Sequence, residues 1–550
     1  MKKRMEKLLA KGWPYFLFLV CAFLLLSWQI VNKVTSQGVD TYFHFSRIYD
    51  ASRQIRTGNW SLITNYSFDQ AGRIVNAVYG PALAYFLGLL ALVCHSWLRF
   101  QLVFALILYF AAGAGLYQVA LRLTGKQILS TLAALCYIAF SPLTSWPTMA
   151  SFQAVSAALA PWAVLFCVRM IENKDRPIDW LSLGAFMAAV AQMHLLDCLI
   201  FASVLFIFAI SGFVRTGHKK GMLFNLLGAV ALFALLTVNV WLPVLHFMHT
   251  DVMATPSPWH LTESTWNLKL LYLYLSDTIT VVFVAASAAN LIYVLCHWKQ
   301  STVNNALALT GSFYLFAASS YFPWAAIEHA LPVLRTSFQQ PRRLDPIAIA
   351  LLCASMALTW RQLNKKKAGR ICGLTVLVML LASGWGRSTN LIAYYTNLGV
   401  QNKQIVKAGR SRNMALLPQL IVKPYCDYLP NPHHKRPLAV REDYRQEVML
   451  RNPLFAKKVL PHGRLELTWT ARKAGQTRLP IVMYSESKLS KPVLRKSAIG
   501  VPTVREHKGS NSAVLSFKTP KSIVVSIYLA LISWLALAIG AGWRRLTRHS

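Results

Sequence analysis

Apolar runs dominate the chain. They fall at residues 14–31, 81–97, 101–121, 128–140, 152–171, 180–192, 195–214, 222–247, 270–296, 303–323, 347–360, 371–386 and 523–543. Most approach the roughly 17 to 25 residues that a membrane-crossing helix needs, and the shorter ones are expected to be tilted, broken or half inserted. Between 388 and 521 the pattern changes to alternation, as in Leu465-x-Leu467-x-Trp469, 479–484 and 513–517. Period-two patterning with Gly and Pro punctuation predicts a small β-rich domain, preceded by helical or irregular sequence at 404–420. The expected organisation is a polytopic membrane module at 1–387 with a first outer loop at 32–78, an α+β domain at 388–521, and an anchor helix with tail at 522–550.

Composition agrees, with 55% hydrophobic residues and only 14% charged. That balance describes a polytopic α-helical membrane protein of about 12 to 14 spans and excludes a set of soluble domains. The 57 Lys and Arg against 20 Asp and Glu carry topological information. Short basic loops stay in the cytoplasm, so Lys2, Lys3, Arg4, Lys7 and Lys11 hold the N-terminus inside. Arg215 with Lys219 and Lys220, the cluster from Arg361 to Arg370, and Arg544, Arg545 and Arg548 mark later cytoplasmic points, the C-terminus among them. The 388–521 domain then lies outside the cell membrane. One feature resists this scheme: five apolar runs precede the basic turn at Lys174 and Arg176, where an even number is required. Either the short 128–140 run fails to cross or the first loop hides a re-entrant piece. The N-terminal run is read as a retained signal-anchor, since no small-x-small cleavage pattern follows it.

The 388–521 region holds 24 Lys and Arg against 7 Asp and Glu. Such a domain beside a membrane is drawn to anionic lipid heads or an anionic envelope polymer, or is a solvated basic surface. Outside the cytoplasm it does not meet nucleic acid. The nine cysteines are scattered without CxxC spacing, and only Cys426 lies away from the apolar runs, so small buried hydrophobes are expected and not a disulfide framework. No repeat, P-loop, dinucleotide fingerprint or HExxH is present.

Candidate chemistry gathers where apolar runs end. Asp40 follows the first run and is a carboxylate at the bilayer surface, able to act as a general base or merely to cap a helix beginning at Thr41. His44 lies one turn on and shares a face with it, or is simply polar on a juxtamembrane helix. Arg342 and Arg343, with Arg335 nearby, precede an apolar run, where guanidinium groups bind phosphate or snorkel to the interface. His194 and Asp197 interrupt the apolar stretch 180–214. An Asp at the centre of one helix costs roughly 2.5 to 3.5 kcal/mol, so two short helices meeting at a turn are expected, with the pair lining a cavity or forming a polar turn.

The stretch Gly38-Val39-Asp40-Thr41-Tyr42-Phe43-His44-Phe45-Ser46-Arg47-Ile48, then Thr57-Gly58-Asn59-Trp60 and Tyr79-Gly80-Pro81, resembles the first-loop pattern of bacterial GT-C-type membrane glycosyltransferases. More narrowly it resembles the 6-pyruvoyl-tetrahydropterin-synthase-related and YfhO-like membrane proteins. Ser337-Phe338-Gln339-Gln340-Pro341-Arg342-Arg343-Leu344 is similar to their QFPxRF stretch, and Asp427-Tyr428-Leu429-Pro430 to the YLP opening their outer domain. The resemblance implies a GT-C-like fold and transfer of a sugar from a polyprenyl-phosphate donor to an envelope polymer or lipid acceptor. It implies Asp40 as catalytic base, while His44, Arg335, Arg342, Arg343, His194 and Asp197 are the substrate contacts expected from their own chemistry and position. No cofactor and no protein-held metal are assigned, and dependence on a divalent metal stays open. Many such enzymes carry a second acid in a later outer loop, but 141–153 has none, leaving Asp69, Asp197, Asp251 and Glu263 as substitutes. A flippase for a lipid-linked precursor and a non-catalytic scaffold binding wall polymer are the other classes compatible with the sequence.

Overall fold

The computed structural model describes residues 2–267, 281–364 and 367–546. Among them, eight helices are long and apolar enough to cross a membrane, or nine if the bent pair Gln127–Phe140 and Pro142–Met149 is one span. Three further apolar helices, Pro81–Cys94, Trp180–Met193 and Val281–Cys296, are shorter. A 14-residue helix rises only about 21 Å, so among the described residues eight or nine span-length helices stand where 12 to 14 crossings are expected from the sequence. The part of the 270–296 run before 281 lies outside the described residues.

The bend of 48° between Gln127–Phe140 and Pro142–Met149 sits where the crossing count fails in the sequence. The proline at 142 ends the first helix, and the chain turns back through Ala150, whose φ of 55° is left-handed. The 180–214 stretch divides at His194 into Trp180–Met193 and Leu195–Arg215.

Three expectations need correction. The 222–247 run is two helices, Lys219–Leu236 and Val238–Thr250. The Leu236 carbonyl accepts from Gln192 Nε2 at 3.0 Å and Trp534 Nε1 at 3.0 Å, while the Val240 amide donates to Thr237. Side chains from other helices thus take the bond that would have continued the helix. The helix Lys367–Val400 runs through residue 388, so the expected domain boundary falls inside a helix. The 479–484 stretch is buried but is not a strand. Pro480 has no amide to give, and the amides of Leu479, Val482 and Met483 go to Pro502, Ala71 and Gly500.

The C-terminal sheet region holds two antiparallel sheets. One has the order β1 (Ala456–Leu460), β2 (Arg464–Ala471), β7 (Gly509–Phe517), β4 (Ser487–Leu489). The other has the order β3 (Gly475–Arg478), β6 (Pro502–Glu506), β5 (Val493–Lys496). Strand β2 alternates buried and exposed positions, placing Leu465, Leu467 and Trp469 inward. Their core is shared with Ile63, Ala71 and Ile74 of the first loop and with Phe247 and Ala254. First loop and sheet region therefore pack as one body, and that packing places the site.

Candidate active site at the end of the helix bundle

The helix Thr41–Thr57 starts directly after Asp40. Asp40 stands at its N-cap position, yet its side chain makes no capping hydrogen bond. The Ser151 hydroxyl bonds the carboxylate instead, Arg343 and Lys423 attract it, and Asp427 repels it. Burial is the largest influence and lifts its pKa above the ordinary carboxylate range. Gly38 permits this placement. A Cβ there would lie 2.4 Å from Met149 Cα, so only glycine lets the first loop lie against the 145–149 turn that leads to Ser151.

His44 is one turn further along and faces the same segment. Its ring stacks on Phe152 at 3.8 Å and 23°, and its Nδ1 finds no hydrogen-bond partner among the described residues. Burial, with Arg47 and His194 nearby, holds it well below the usual histidine range, so His44 is neutral. A neutral imidazole with an unused nitrogen can accept or donate one hydrogen bond to a ligand.

Tyr79 joins the remaining groups. Its ring meets His194 at 5.6 Å and Phe43 at 5.7 Å, and the Arg47 guanidinium carbon lies 4.4 Å above it. Gly80, with φ of 48°, packs on the Met193 carbonyl, where a Cβ would come within 2.7 Å. That close approach sets Tyr79 beside His194. His194 Nδ1 lies 3.1 Å from Asp197 Oδ2. The Tyr79 phenol feels Arg47, Arg343, Asp40 and Asp197 together and is pushed by burial up to about 12.

The three arginines from the sequence separate. Arg343 donates to Gln339 Oε1 at 3.0 Å and acts on Asp40, Tyr79 and Tyr428. Arg342 has its Nε 3.7 Å from buried Asp345, and its carbonyl accepts from Gln153. Arg335 lies in another network, with Glu328 Oε1 at 3.3 Å and His260 Nε2 at 3.1 Å. Asp40, His44, His194, Asp197 and Arg343 thus share one site, whereas the contacts of Arg335 are elsewhere.

Sequence reasoning gave no role to Tyr79, Ser151, Asp427 or Tyr428. Asp427 arrives through the packing of the first loop on the outer segment: Arg73, fully buried, donates to the Asp427 carbonyl and lies 5.2 Å over Phe68 and 5.3 Å over Tyr444. Phe68, Asp69 and Gln70 all adopt left-handed backbone, with φ of 50°, 60° and 51°. Lys457 Nζ clamps this strained turn by donating to the carbonyls of Asp69 at 2.8 Å, Gln70 at 3.1 Å and Pro480 at 2.7 Å. Of the acids considered as second carboxylates, Asp69 accepts from Tyr444 at 2.9 Å, and Asp251 binds Ser485, with Ser485 Oγ 2.7 Å from its Oδ2. Among the described residues, Asp427 acts on Asp40 directly and Asp197 meets it through Tyr79, on which both act.

No family model and no curated protein matches the chain. Among solved structures it is similar to the arabinofuranosyltransferase AftD from Mycobacteria, at 14% identity and a TM-score of 0.40, over 70% of this chain and 27% of AftD. It is also similar to ArnT from Cupriavidus metallidurans, solved with undecaprenyl phosphate, at 11% identity and a TM-score of 0.39, over 90% of this chain and 98% of ArnT. The chain spans about a quarter of the length of AftD. At these scores the overlaps give no residue of this chain a role.

Proposed function

We propose that the protein is a GT-C-type membrane glycosyltransferase working at the outer membrane surface, with Asp40 as general base. The observation that carries the reading is the Asp40 carboxylate. It is not used as a cap, its basicity is raised by burial, and it is held beside Ser151 and Arg343 where the first membrane helix ends. In the step we envisage, an acceptor hydroxyl gives its proton to Asp40 as its oxygen bonds to the sugar's anomeric carbon. The bond from that carbon to the phosphate oxygen breaks, and its electron pair leaves with the polyprenyl phosphate. Inverting transfer needs a base on one side of the sugar and cation stabilisation of the leaving phosphate on the other. Arg343 suits the second task because a guanidinium gives several directed hydrogen bonds to phosphate. His44 and the His194–Asp197 pair supply polar contacts to the sugar hydroxyls. The acceptor is an anionic envelope polymer or lipid drawn by the basic 388–521 region.

The test uses purified protein and a polyprenyl-phosphate-linked sugar. Donor binding should weaken about tenfold or more in Arg343→Gln, since a charge-assisted contact is worth about 1.5 to 3 kcal/mol, with abundance unchanged. Wild-type donor affinity in that variant would overturn the assignment of Arg343. Loss of one sugar class from envelope glycans in a deletion strain would name the product.

A further inference from the structure

At the other end of the bundle a second polar site stands apart from Asp40. The helix Gln153–Glu172 begins next to Ser151 and runs 20 residues, or about 30 Å, which is the thickness of a bilayer core. The helix Trp97–Thr124 makes the same journey, from Trp97 stacked on Phe45 at 4.3 Å to Arg122 in its last turn. Where these helices end, a cavity of about 420 Å³ opens beside the start of Trp180–Met193.

Its lining is mixed. Phe166, Met170, Ile178 and Leu183 supply apolar lining, and Arg122, Arg169 and Arg176 supply cationic lining, with the Asp179 carboxylate also lining the cavity. Glu172 holds Arg122 at 2.6 Å, and Asp179 lies 3.7 Å from Arg176. Arg169 has no carboxylate partner among the described residues; its guanidinium rests over the Phe166 ring at 5.8 Å. Two guanidinium groups are thus oriented by carboxylates, and one lies over an aromatic face at the cavity.

We propose that this cavity binds a phosphate ester at the membrane face opposite the Asp40 site, as the headgroup of an anionic phospholipid. Basic pockets between membrane helices recognise such headgroups, and Arg favours phosphate through paired hydrogen bonds. The apolar lining suits the glycerol and first methylenes of a lipid, and the cationic lining suits its phosphate. A soluble phosphate ester shares the second feature alone. The proposal does not depend on the activity at Asp40.

The full chain, purified and stripped of lipid in detergent, is titrated with palmitoyl-oleoyl phosphatidylglycerol, the matching phosphatidylcholine, or sn-glycerol 3-phosphate, and bound species are counted by native mass spectrometry. Wild type should retain phosphatidylglycerol about tenfold more strongly than phosphatidylcholine, because both carry the phosphate but the choline cation is repelled by the arginines around it. Arg169→Gln with Arg176→Gln should erase the preference, and the Lys pair at the same positions should keep part of it. Asn173→Trp, at the exposed rim, should block binding although it keeps every arginine in the chain; it also removes the Asn173 Oδ1 acceptor of the Arg176 amide. Binding of sn-glycerol 3-phosphate that the Gln pair abolishes supports the phosphate site and makes its ligand soluble. Equal retention of the two lipids without glycerol phosphate binding, or an undiminished preference in the Gln pair or Asn173→Trp, would overturn the proposal.

Discussion

Gly38→Ala tests how Asp40 is positioned without touching its chemistry. The added Cβ would stand 2.4 Å from Met149 Cα, where ordinary contact begins near 3.4 Å, so the two segments must part by about 1 Å (3.4 less 2.4). Backbone supplies the obstructing atom, and no side-chain rotation relieves it. Overpacking of this kind costs roughly 1 to 3 kcal/mol. Ser151, two residues beyond Met149, hydrogen-bonds Asp40, so the displacement falls on that contact. A misplacement of about 1 Å reduces catalysis on the order of 100-fold. The assay compares initial rates of sugar transfer and thermal midpoints in one detergent for wild type, Gly38→Ala and Gly217→Ala; a Cβ at Gly217 meets nothing within 4 Å. Gly217→Ala should match wild type. A lowered midpoint with an undiminished rate in Gly38→Ala would confirm the contact and refute its role in placing Asp40, and wild-type values for both would refute the contact itself.

The pH dependence of transfer should have an acid limb above the ordinary carboxylate range, because burial raises the Asp40 pKa and the base is lost as pH falls through it. Asp427→Asn should move that limb down by removing a repelling charge, and Arg343→Gln should move it up by removing an attracting one; kcat/KM profiles of the two variants check the opposite signs. Lys457 Nζ donates to the carbonyls of Asp69, Gln70 and Pro480, so Lys457→Met should loosen the left-handed turn it holds. Hydrogen exchange on purified protein checks it, with faster exchange expected across residues 65–73 in the variant than in wild type. Arg335→Gln should leave donor affinity unchanged, because Arg335 is engaged with Glu328 and His260, and donor titration of that variant beside Arg343→Gln decides it.

The membrane class and much of the sheet region were legible because solvent writes both directly into the pattern: bilayer-long apolar runs for the helices, alternation for β2 and β7. Asp40, His44, His194, Asp197 and Arg343 could be picked one by one, since each is polar or charged beside an apolar run, where its presence is expensive. Their convergence was not legible. It depends on Gly38 against Met149 and Gly80 against the Met193 carbonyl, contacts between segments more than 100 residues apart. Asp427 was hidden for the same reason, reaching the site only because Arg73 binds its carbonyl across 354 residues. The break at Thr237 was invisible because the side chains that capture the Leu236 carbonyl belong to Gln192 and Trp534. Arg335 was misleading, as its partner Glu328 sits only seven residues back and the two adjoin through a turn that composition does not reveal.

Asp40→Asn is the most direct measurement. It preserves the size of the side chain and removes the proton-accepting carboxylate. In purified protein supplied with a polyprenyl-phosphate-linked sugar and an envelope acceptor fraction, transfer should fall roughly 100-fold or more, the usual consequence of losing a general base, with abundance and donor binding retained. Transfer at the wild-type rate in the Asn variant would show that Asp40 is structural and would contradict the glycosyltransferase account at its centre.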